Sequence, residues 1–192
     1  MTNVHALELD ARLMLGVKQD DEQAMALLLD RHRRPVIQFL YRMVHNYAVA
    51  EELAQNVFLR VYRSRATYEP TARFTSWLFQ ISTRVALNWI RDTRHEAGRL
   101  SLTAGPGRDF DLELPDRRPA ADQMLLREAR VAEIRSAIAA LPERQRAAVL
   151  MHKYEELEYS QIAAALGCSP QTVKSLLFRA YTNLRARLAH LA

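Results

Sequence analysis

The chain has 192 residues and a formal net charge of +5, with 49% hydrophobic and 26% charged residues but only five Gly and seven Pro, a composition typical of one or two globular domains rich in helix. Its single cysteine, Cys168, excludes an intramolecular disulfide and a cysteine-rich metal site. No apolar run reaches the roughly 18 residues of a membrane span and the polar, acidic N-terminus is unlike a secretory signal, so we expect a cytoplasmic protein without membrane insertion.

The first block of the chain is predicted to form four helices, with little of the alternation that marks β-strands. They are expected to cover about residues 7–18, 20–44, 48–64 and 74–94. Asp20 is a plausible N-cap for the second helix, and Pro35 is expected to kink or interrupt it. The segment 68–73 between the last two helices is predicted to be a loop.

The third and fourth predicted helices each have an apolar stripe. In the third, Ala50, Leu53, Val57 and Val61 form the stripe and the other face is polar; in the fourth, the stripe is Phe74, Trp77, Leu78, Ile81, Val85 and Trp89. No acidic residue occurs from Pro70 to Arg91, whereas Arg73, Arg84 and Arg91 do. Locally positive surface of this kind favours phosphate backbones, although an ordinary solvated charged face is an equal alternative.

A stretch rich in Gly and Pro divides the chain. Gly105, Pro106, Gly107, Pro115 and Pro119 lie among Arg and Asp residues, which favours an exposed tether. Apolar groups within it, such as Phe110, leave open that it lies on a partner. We therefore predict an all-α fold of two helical domains, residues 1–97 and 122–192, joined by a flexible linker over 98–121.

The second block is also predicted to form four helices, over about residues 122–140, 142–157, 160–166 and 170–190. Pro142 is expected at a first helical position. Residues 159–178 fit a helix-turn-helix, in which Gly167 supplies a left-handed turn, Ser169 the N-cap and Pro170 the first residue of the second helix. A plain hairpin of two helices without a DNA-binding role is the alternative.

The second helix of this motif has a buried and an exposed face. Val173, Leu177, Ala180, Leu184 and Leu188 form the expected buried stripe, and no Asp or Glu occurs from Tyr159 onwards. Because the first turn of a recognition helix meets base edges in the major groove, Lys174 and Ser175 are the best candidates for reading DNA, and Arg179 for holding a phosphate. Phe178 shares this face, but partial burial by packing is the favoured interpretation for it.

Three stretches carry a resemblance to a known family. Residues 50–63 (AEELAQNVFLRVYR) resemble the core-polymerase-binding helix of sigma factors, region 2.2. Residues 74–81 (FTSWLFQI), continuing to 88–91 (NWIR), resemble the −10 reader of regions 2.3 and 2.4. Residues 141–146 (LPERQR) with the following helix-turn-helix resemble region 4, the −35 reader. The order and spacing of these three stretches resemble those of the extracytoplasmic-function (ECF) group of the sigma-70 family. The chain leaves no room between them for the extra domains of housekeeping sigma factors.

The resemblance implies that the chain binds core RNA polymerase, directs it to specific promoters and promotes melting of the −10 element, with no bond chemistry or cofactor of its own. The polymerase contacts it implies are Glu51, Glu52, Gln55, Asn56, Arg60 and Arg63. The implied −10 contacts are Tyr68, Arg73, Phe79, Arg84, Asn88 and Arg91, and the implied −35 contacts are Ser169, Gln171, Thr172, Lys174, Ser175, Phe178 and Arg179. An anti-sigma factor that holds the chain inactive is a further implied partner.

Some positions depart from the family pattern or invite a second interpretation. Arg84 stands where Asn is frequent near the pocket for a flipped base, Leu176 where a basic residue is common, and Asn56 where an acidic residue is usual. Trp77 and Trp89 are expected to be core residues because they lie on the apolar stripe of the fourth helix. Phe79 and Tyr68 fit that apolar stripe less well, and we expect them to face nucleic acid.

Other classes of function fit the sequence less well. An ordinary helix-turn-helix regulator would not need the patterns at 50–63 and 74–91 together. The six His residues are scattered without metal-ligand spacing, and no P-loop, GxGxxG or GxSxG occurs, which argues against an enzyme. A purely protein-binding adaptor is disfavoured by the acid-free helix at 170–190.

Overall fold

The computed structural model describes residues 8–100 and 121–191, including the side chains of residues 8–95 and 129–191. The described helices are α1 Leu9–Lys18, α2 Glu22–Val44, α3 Tyr47–Arg63, α4 Phe74–Leu100, α5 Ala121–Ala139, α6 Glu143–Tyr154, α7 Tyr159–Leu166 and α8 Pro170–Arg187, with single 3-10 turns at Arg65–Thr67 and Ala189–Leu191. Within these ranges there is no β-strand. The predicted all-α fold of two helical domains is confirmed, and most of the predicted linker lies outside the described residues.

The N-cap of α2 lies one residue later than predicted. The N-cap is Asp21, whose Oδ1 accepts hydrogen bonds from the backbone N–H groups of Gln23 and Ala24 at 2.9 and 3.1 Å. Asp20 has a left-handed backbone conformation, with φ 61°, and its carboxylate is bound to Arg65 instead. The helix then continues through Pro35, because buried residues on both sides of the proline hold its two halves on one core.

Helices α1 to α4 form the N-terminal bundle, whose core follows from the apolar stripes. The predicted stripe of α3 is buried, together with Ala54 and Phe58 one position further round the helix. From the neighbouring helices, Met14, Leu28 and Leu40 are fully enclosed in the same core. Trp77 and Trp89 are half-buried and pack against this core, which agrees with their expected place on the stripe of α4.

Helix α4 is longer than the apolar stripe predicted. It runs six residues past Arg94 to Leu100 and so includes Gly98, the first residue of the predicted linker. A single glycine costs a helix only about 1 kcal/mol relative to alanine, which is too little to end one. The domain boundaries at 97 and 122 remain predictions.

Helices α5 to α8 form the C-terminal bundle, and the helix-turn-helix has the predicted local geometry. Gly167 lies in the left-handed region, with φ 60° and ψ 48°, and a Cβ there would meet no atom within 4 Å. The backbone conformation therefore selects glycine, rather than a lack of space. Ser169 caps α8 by accepting from the backbone N–H of Thr172 at 3.2 Å. Pro142 is the N-cap of α6 and not, as predicted, its first helical residue.

The two bundles pack against each other, chiefly through α4 on α7, with smaller contacts of α2 and α4 with α6. Arg146 of α6 joins the bundles. Its guanidinium donates a hydrogen bond of 2.6 Å to the carbonyl oxygen of Met43, at the end of α2. It also donates to the carbonyl oxygens of Ala139 and Leu141 in its own bundle, over 2.5 and 3.1 Å. One turn before Arg146 on α6, Glu143 forms an ion pair with Arg94 of α4.

Candidate nucleic-acid and polymerase interfaces

The polar face of α3 gathers the six residues predicted to bind core polymerase. Glu52, Gln55, Asn56, Arg60 and Arg63 are exposed and Glu51 is half-buried. Arg60 donates through Nε to Asn56 Oδ1 at 2.7 Å, and Arg33 of α2 lies 3.9 Å from Glu51. The helix thus presents acidic, amide and basic groups in sequence along one surface, which suits a partner with complementary charge.

Two apolar side chains on the same face were missed by the sequence interpretation. Leu59 is 54% exposed and Tyr62 is 41% exposed, and the guanidinium of Arg65 lies 4.1 Å from the Tyr62 ring centroid. A signal was available, because Asn56, Leu59 and Tyr62 follow one another at steps of three residues and fall outside the buried stripe. They add an apolar centre to an otherwise polar face.

The face of α4 predicted to hold the −10 element is exposed and basic. Arg84, Asn88 and Arg91 are exposed at helical spacing, and Arg73 is exposed immediately before the helix begins. Arg91 pairs with Asp92 at 3.2 Å, both being largely exposed. Residues 69 and 71–73, ahead of α4, are also exposed. The loop and this face of the helix therefore expose three arginines, a composition that favours phosphate groups.

The prediction that Tyr68 and Phe79 face nucleic acid is wrong for this structure. Tyr68 is 3% exposed and Phe79 is 2% exposed. The Tyr68 ring lies 5.0 Å from that of Trp77, and the Phe79 ring meets Phe39 of α2 edge-on at 5.3 Å. Both aromatic side chains fill the core of the N-terminal bundle, since enclosing an aromatic ring removes a large apolar area from water.

The predicted −35 surface is the outer side of α8 and its cap. Ser169, Gln171, Thr172, Lys174, Phe178 and Arg179 are exposed, and Ser175 is half-buried. The Ser175 hydroxyl donates to the carbonyl oxygen of Gln171 at 3.1 Å, which leaves its oxygen lone pairs for an external donor. Val173, Leu177 and Ala180 are buried as predicted, while Leu184 and Leu188 are half-buried.

Phe178 differs from the expectation of partial burial by packing. It is 73% exposed, the most exposed of the large apolar side chains described. Its neighbour Leu177 takes the buried position instead, and Leu176 is half-buried against the core. An aromatic ring held in water on the face that also carries Lys174 and Arg179 suits contact with a partner rather than packing.

A cluster of ionisable groups lies where α2 meets α6. The Arg42 guanidinium stacks 4.1 Å from the centroid of the Tyr154 ring. Burial raises the pKa of the adjacent Glu155 to about 7, although the charge of Arg42 acts in the opposite direction. Burial and the nearby charge of Arg146 lower the pKa of His45, whose Nε2 lies 3.0 Å from that guanidinium. This part of the interface between the bundles is therefore sensitive to protonation.

The described residues contain no group of three or more His, Cys, Asp and Glu side chains placed to hold a metal ion. Among the helices described, none combines the length and apolar character needed to cross a membrane.

Two family models match the chain. Residues 28–96 match the model described as Sigma-70 region 2, and residues 132–184 match Sigma-70, region 4. Among curated relatives, the RNA polymerase sigma factor CarQ of Myxococcus xanthus is 35% identical over 172 residues, covering 88% of this chain and 92% of CarQ. The ECF RNA polymerase sigma factor SigW of Bacillus subtilis is 28% identical over 182 residues, covering 91% and 94%.

Solved structures share the fold at low sequence identity. The structure of CnrH in complex with the cytosolic domain of CnrY matches with a TM-score of 0.68 and 20% identity, over 96% of this chain and 100% of the matched chain. The sigma factor RpoE of Bartonella quintana, in complex with the anti-sigma factor NepR, matches with a TM-score of 0.66 and 20% identity, over 89% and 98%. Both sigma-70 regions occur in order, and the relatives match along nearly their full length. The chain therefore belongs to the ECF group of the sigma-70 family, whose members are RNA polymerase sigma factors that direct transcription initiation to promoters.

Proposed function

We propose that three outward faces divide the work of this sigma factor: α3 binds core RNA polymerase, the 69–73 loop with α4 holds the opened −10 element, and α8 reads the −35 element. One observation supports the proposal most strongly. Each of these three faces exposes polar and basic residues, while the apolar residues of the same helices form the cores of the bundles. The chain acts by binding, in the cytoplasm where the polymerase works, and the polymerase supplies the chemistry.

For the −10 element, Arg73, Arg84, Asn88 and Arg91 are the proposed contacts. Single-strand capture combines basic groups that follow the backbone with pockets for an extruded base, and the pocket offsets an unstacking cost of a few kcal/mol. Arg84 lies at the middle of this surface and is exposed. Its guanidinium has donors only, so it favours a base with acceptor edges at the position that it meets.

For the −35 element, α8 enters the major groove with its first turns. Lys174 and Ser175 are the proposed base readers, because polar side chains near the start of a recognition helix reach base edges, and the exposed Gln171 lies one turn before Ser175. Arg179, one turn later, is placed for a phosphate. Phe178, exposed between them, supplies an apolar surface of the kind that meets a thymine methyl group.

The packed arrangement of the bundles has to open on a promoter. The −10 and −35 elements are separated by about 25 base pairs, or roughly 85 Å at 3.4 Å per base pair. Bundles in direct contact cannot reach both. The 20 residues from 101 to 120 span at most about 70 Å when extended, and this reach, added to the widths of the bundles themselves, is sufficient for the open form.

An anti-sigma factor is the proposed inhibitory partner. The structural matches to CnrH and RpoE come from complexes with the cytosolic domain of CnrY and with the anti-sigma factor NepR, and this chain shares their fold. Its exposed Leu59 and Tyr62 on α3, and Val131 and Ile134 on α5, offer apolar surface for such a protein. Pull-down from native cells should recover an inhibitory protein that competes with core polymerase, and recovery of polymerase alone would count against this partner.

Run-off transcription tests the main proposal. Purified core polymerase is mixed with a library of promoter fragments, with and without the chain. Specific initiation only when both proteins are present supports the proposed role, and the recovered promoters define the −35 and −10 sequences. Binding of duplex DNA by the chain alone, without new transcription from core polymerase, would instead indicate an ordinary helix-turn-helix regulator.

A further inference from the structure

Helix α1 lies beside the segment that leads into the proposed −10 loop. Lys18, the last residue of α1, donates from Nζ to the backbone carbonyl oxygen of Tyr68 at 3.1 Å. Two residues later, Asp20 Oδ1 accepts from both Nε and Nη2 of Arg65 at 3.0 Å. The end of α1 and the turn after it therefore hold both the 3-10 turn before the loop, through Arg65, and Tyr68, the residue that anchors the start of the loop.

The other end of the loop is connected to α1 through α2. Asp10 is buried, and one of its oxygens accepts from Arg31 Nε at 2.7 Å. Its second oxygen lies 3.0 Å from His32 Nε2. The His32 ring in turn lies 5.3 Å from the ring of Phe74, the fully buried first residue of α4. The two residues that flank the loop, Tyr68 and Phe74, thus depend on contacts that begin in α1.

The loop between these anchors has little support of its own. Residues 69 and 71–73 are exposed, whereas Tyr68 and Phe74 are buried with their ring centroids 6.3 Å apart. Burial raises the pKa of Tyr68 to about 12, with the carboxylates of Glu8 and Asp10 contributing, so α1 also lies close to the tyrosine ring. A loop of five residues between two fixed anchors adopts few conformations, and shifting one anchor changes where every loop side chain points.

We propose that α1 and the turn after it form a brace for the −10 loop, in which Lys18 and Asp20 are positioning residues that set the geometry of Glu69–Arg73 without touching DNA. The inference rests on the proposed −10 role of this loop. The residues of α1 lie ahead of the match to the region 2 model, which begins at residue 28. The effect of Lys18 is confined to −10 capture, since α3 and α8 present their faces independently of it, whereas Asp20 also reaches Tyr62 of α3 through Arg65.

The test compares Lys18→Met, which keeps the aliphatic stem but removes the donor, with Lys18→Arg, which restores a charged donor. Lys153→Met is the matched control, because Lys153 is exposed on α6 and its replacement removes the same charge. Holoenzyme is assembled from core polymerase and each full chain. The probe is the single non-template strand of a −10 element from a promoter that the wild-type chain transcribes. A −35 duplex and core polymerase are titrated in parallel.

We expect Lys18→Met to lower affinity for the −10 strand about tenfold, the scale of loss that a small misplacement of binding groups produces, while affinities for the −35 duplex and core polymerase stay unchanged. Lys18→Arg should restore most of the loss. In the free chain, hydrogen exchange of the backbone amides of residues 69 and 71–73 should become faster in Lys18→Met alone, Pro70 having no amide hydrogen. Asp20→Asn, at an exposed ion pair, is the second variant if Lys18→Met lowers the melting temperature.

The proposal is overturned if Lys18→Met matches Lys153→Met in both strand affinity and hydrogen exchange, or if all three affinities fall by the same factor. Failure of the proposed −10 role would look different, because the wild-type holoenzyme would then not bind the strand at all. In that case hydrogen exchange at 69–73 still decides whether α1 holds the loop.

Discussion

Gln80 of α4 donates a hydrogen bond from its side-chain amide to the backbone carbonyl oxygen of Ala164 in α7, over 3.0 Å, and so links the proposed −10 helix to the first helix of the helix-turn-helix. Nearby, Thr83 Oγ1 lies 3.6 Å from Met151 Sδ. The described polar contacts between the bundles are few and are made by single side chains. Each such bond contributes only about 0.5–1.5 kcal/mol net, in addition to the apolar residues of both bundles that share one buried cluster.

Replacing Gln80 by Ala should shift the free chain toward the open form. Losing one hydrogen bond of about 1 kcal/mol changes the ratio of closed to open molecules roughly fivefold. Small-angle X-ray scattering measures the shift, since a compact chain of this length has a radius of gyration of about 16 Å and separated bundles have a larger one. Gln171→Ala, at an exposed glutamine of α8, is the control. Equal scattering from all three proteins would contradict a role for the Gln80 bond in closure.

The sequence predicted the helices well because their stripes and caps are local features. The spacing of Val57 and Val61 is enough to define the buried side of α3, and Gly167 with Ser169 defines the turn of the helix-turn-helix. Where adjacent residues compete for one role, local rules do not discriminate. Asp20 and Asp21 are both good N-caps, and the contact of Asp20 with Arg65, 45 residues away, is what assigns the cap to Asp21.

The candidate site was predicted less completely, since burial depends on neighbours that are distant in sequence. Tyr68 lies in a loop and appeared free, yet Trp77 and the end of α1 enclose it. Leu177 is buried as predicted, but its neighbour Phe178, for which partial burial was favoured, is 73% exposed because the crossing of α8 over α6 and α7 encloses only Leu177. The contact between the bundles had no signal in the sequence, because residues such as Gln80 and Arg146 are ordinary surface types in their own helices.

One group, Glu155, should make the stability of the chain fall as the pH rises from about 4.5 to about 7. Burial raises the pKa of Glu155 to about 7 from its ordinary value of 4.5. Between these values the unfolded chain has released this proton and the folded chain retains it, so the folded state loses relative stability as pH rises. Below pH 4.5 both states are protonated, and the contribution of Glu155 is then fully present.

Glu155→Gln removes this dependence, because the amide mimics the protonated carboxyl group. At pH 8 the variant should melt about 2–4 °C above the wild type, the shift that ~1 kcal/mol produces in a chain of this size, a modest gain since Glu155 is only half-buried and partly screened. At pH 4.5 the two should melt together. Glu156→Gln, at the exposed neighbour, is the charge-matched control. A constant difference between Glu155→Gln and wild type at all pH values would rule out the titration of Glu155 as the cause.

Leu59→Ala should weaken binding to core polymerase without affecting folding. Leu59 is 54% exposed on the proposed polymerase face of α3, so its removal leaves no cavity. Loss of an apolar contact at the centre of an interface typically costs 1 kcal/mol or more, and we expect affinity to fall about tenfold. Leu27→Ala is a close control, because Leu27 is 53% exposed on α2 outside the proposed face. Competition binding to core polymerase measures both variants, and equal affinities for the two would remove Leu59 from the interface.

Phe178→Ala provides a corresponding test on α8. Because the ring is 73% exposed, the melting temperature should stay within the small range of surface substitutions, about 0.5 kcal/mol in free energy of unfolding. Affinity for the −35 duplex should nevertheless fall by about tenfold, if the ring meets a thymine methyl group as proposed, since each base contact carries ~1–3 kcal/mol of discrimination. Fluorescence anisotropy with the duplex and calorimetry of the free protein measure the two effects separately.

Salt dependence separates the role of Phe178 from that of its basic neighbours. Lys174→Ala and Arg179→Ala each remove a cation, and one that holds a phosphate should lower the slope of log affinity against log salt concentration by about one. Phe178→Ala removes no charge, so its loss of affinity should be the same at low and high salt. A loss that disappears at low salt would show that Phe178 acts by orienting Lys174 or Arg179 and not through its own contact with a base.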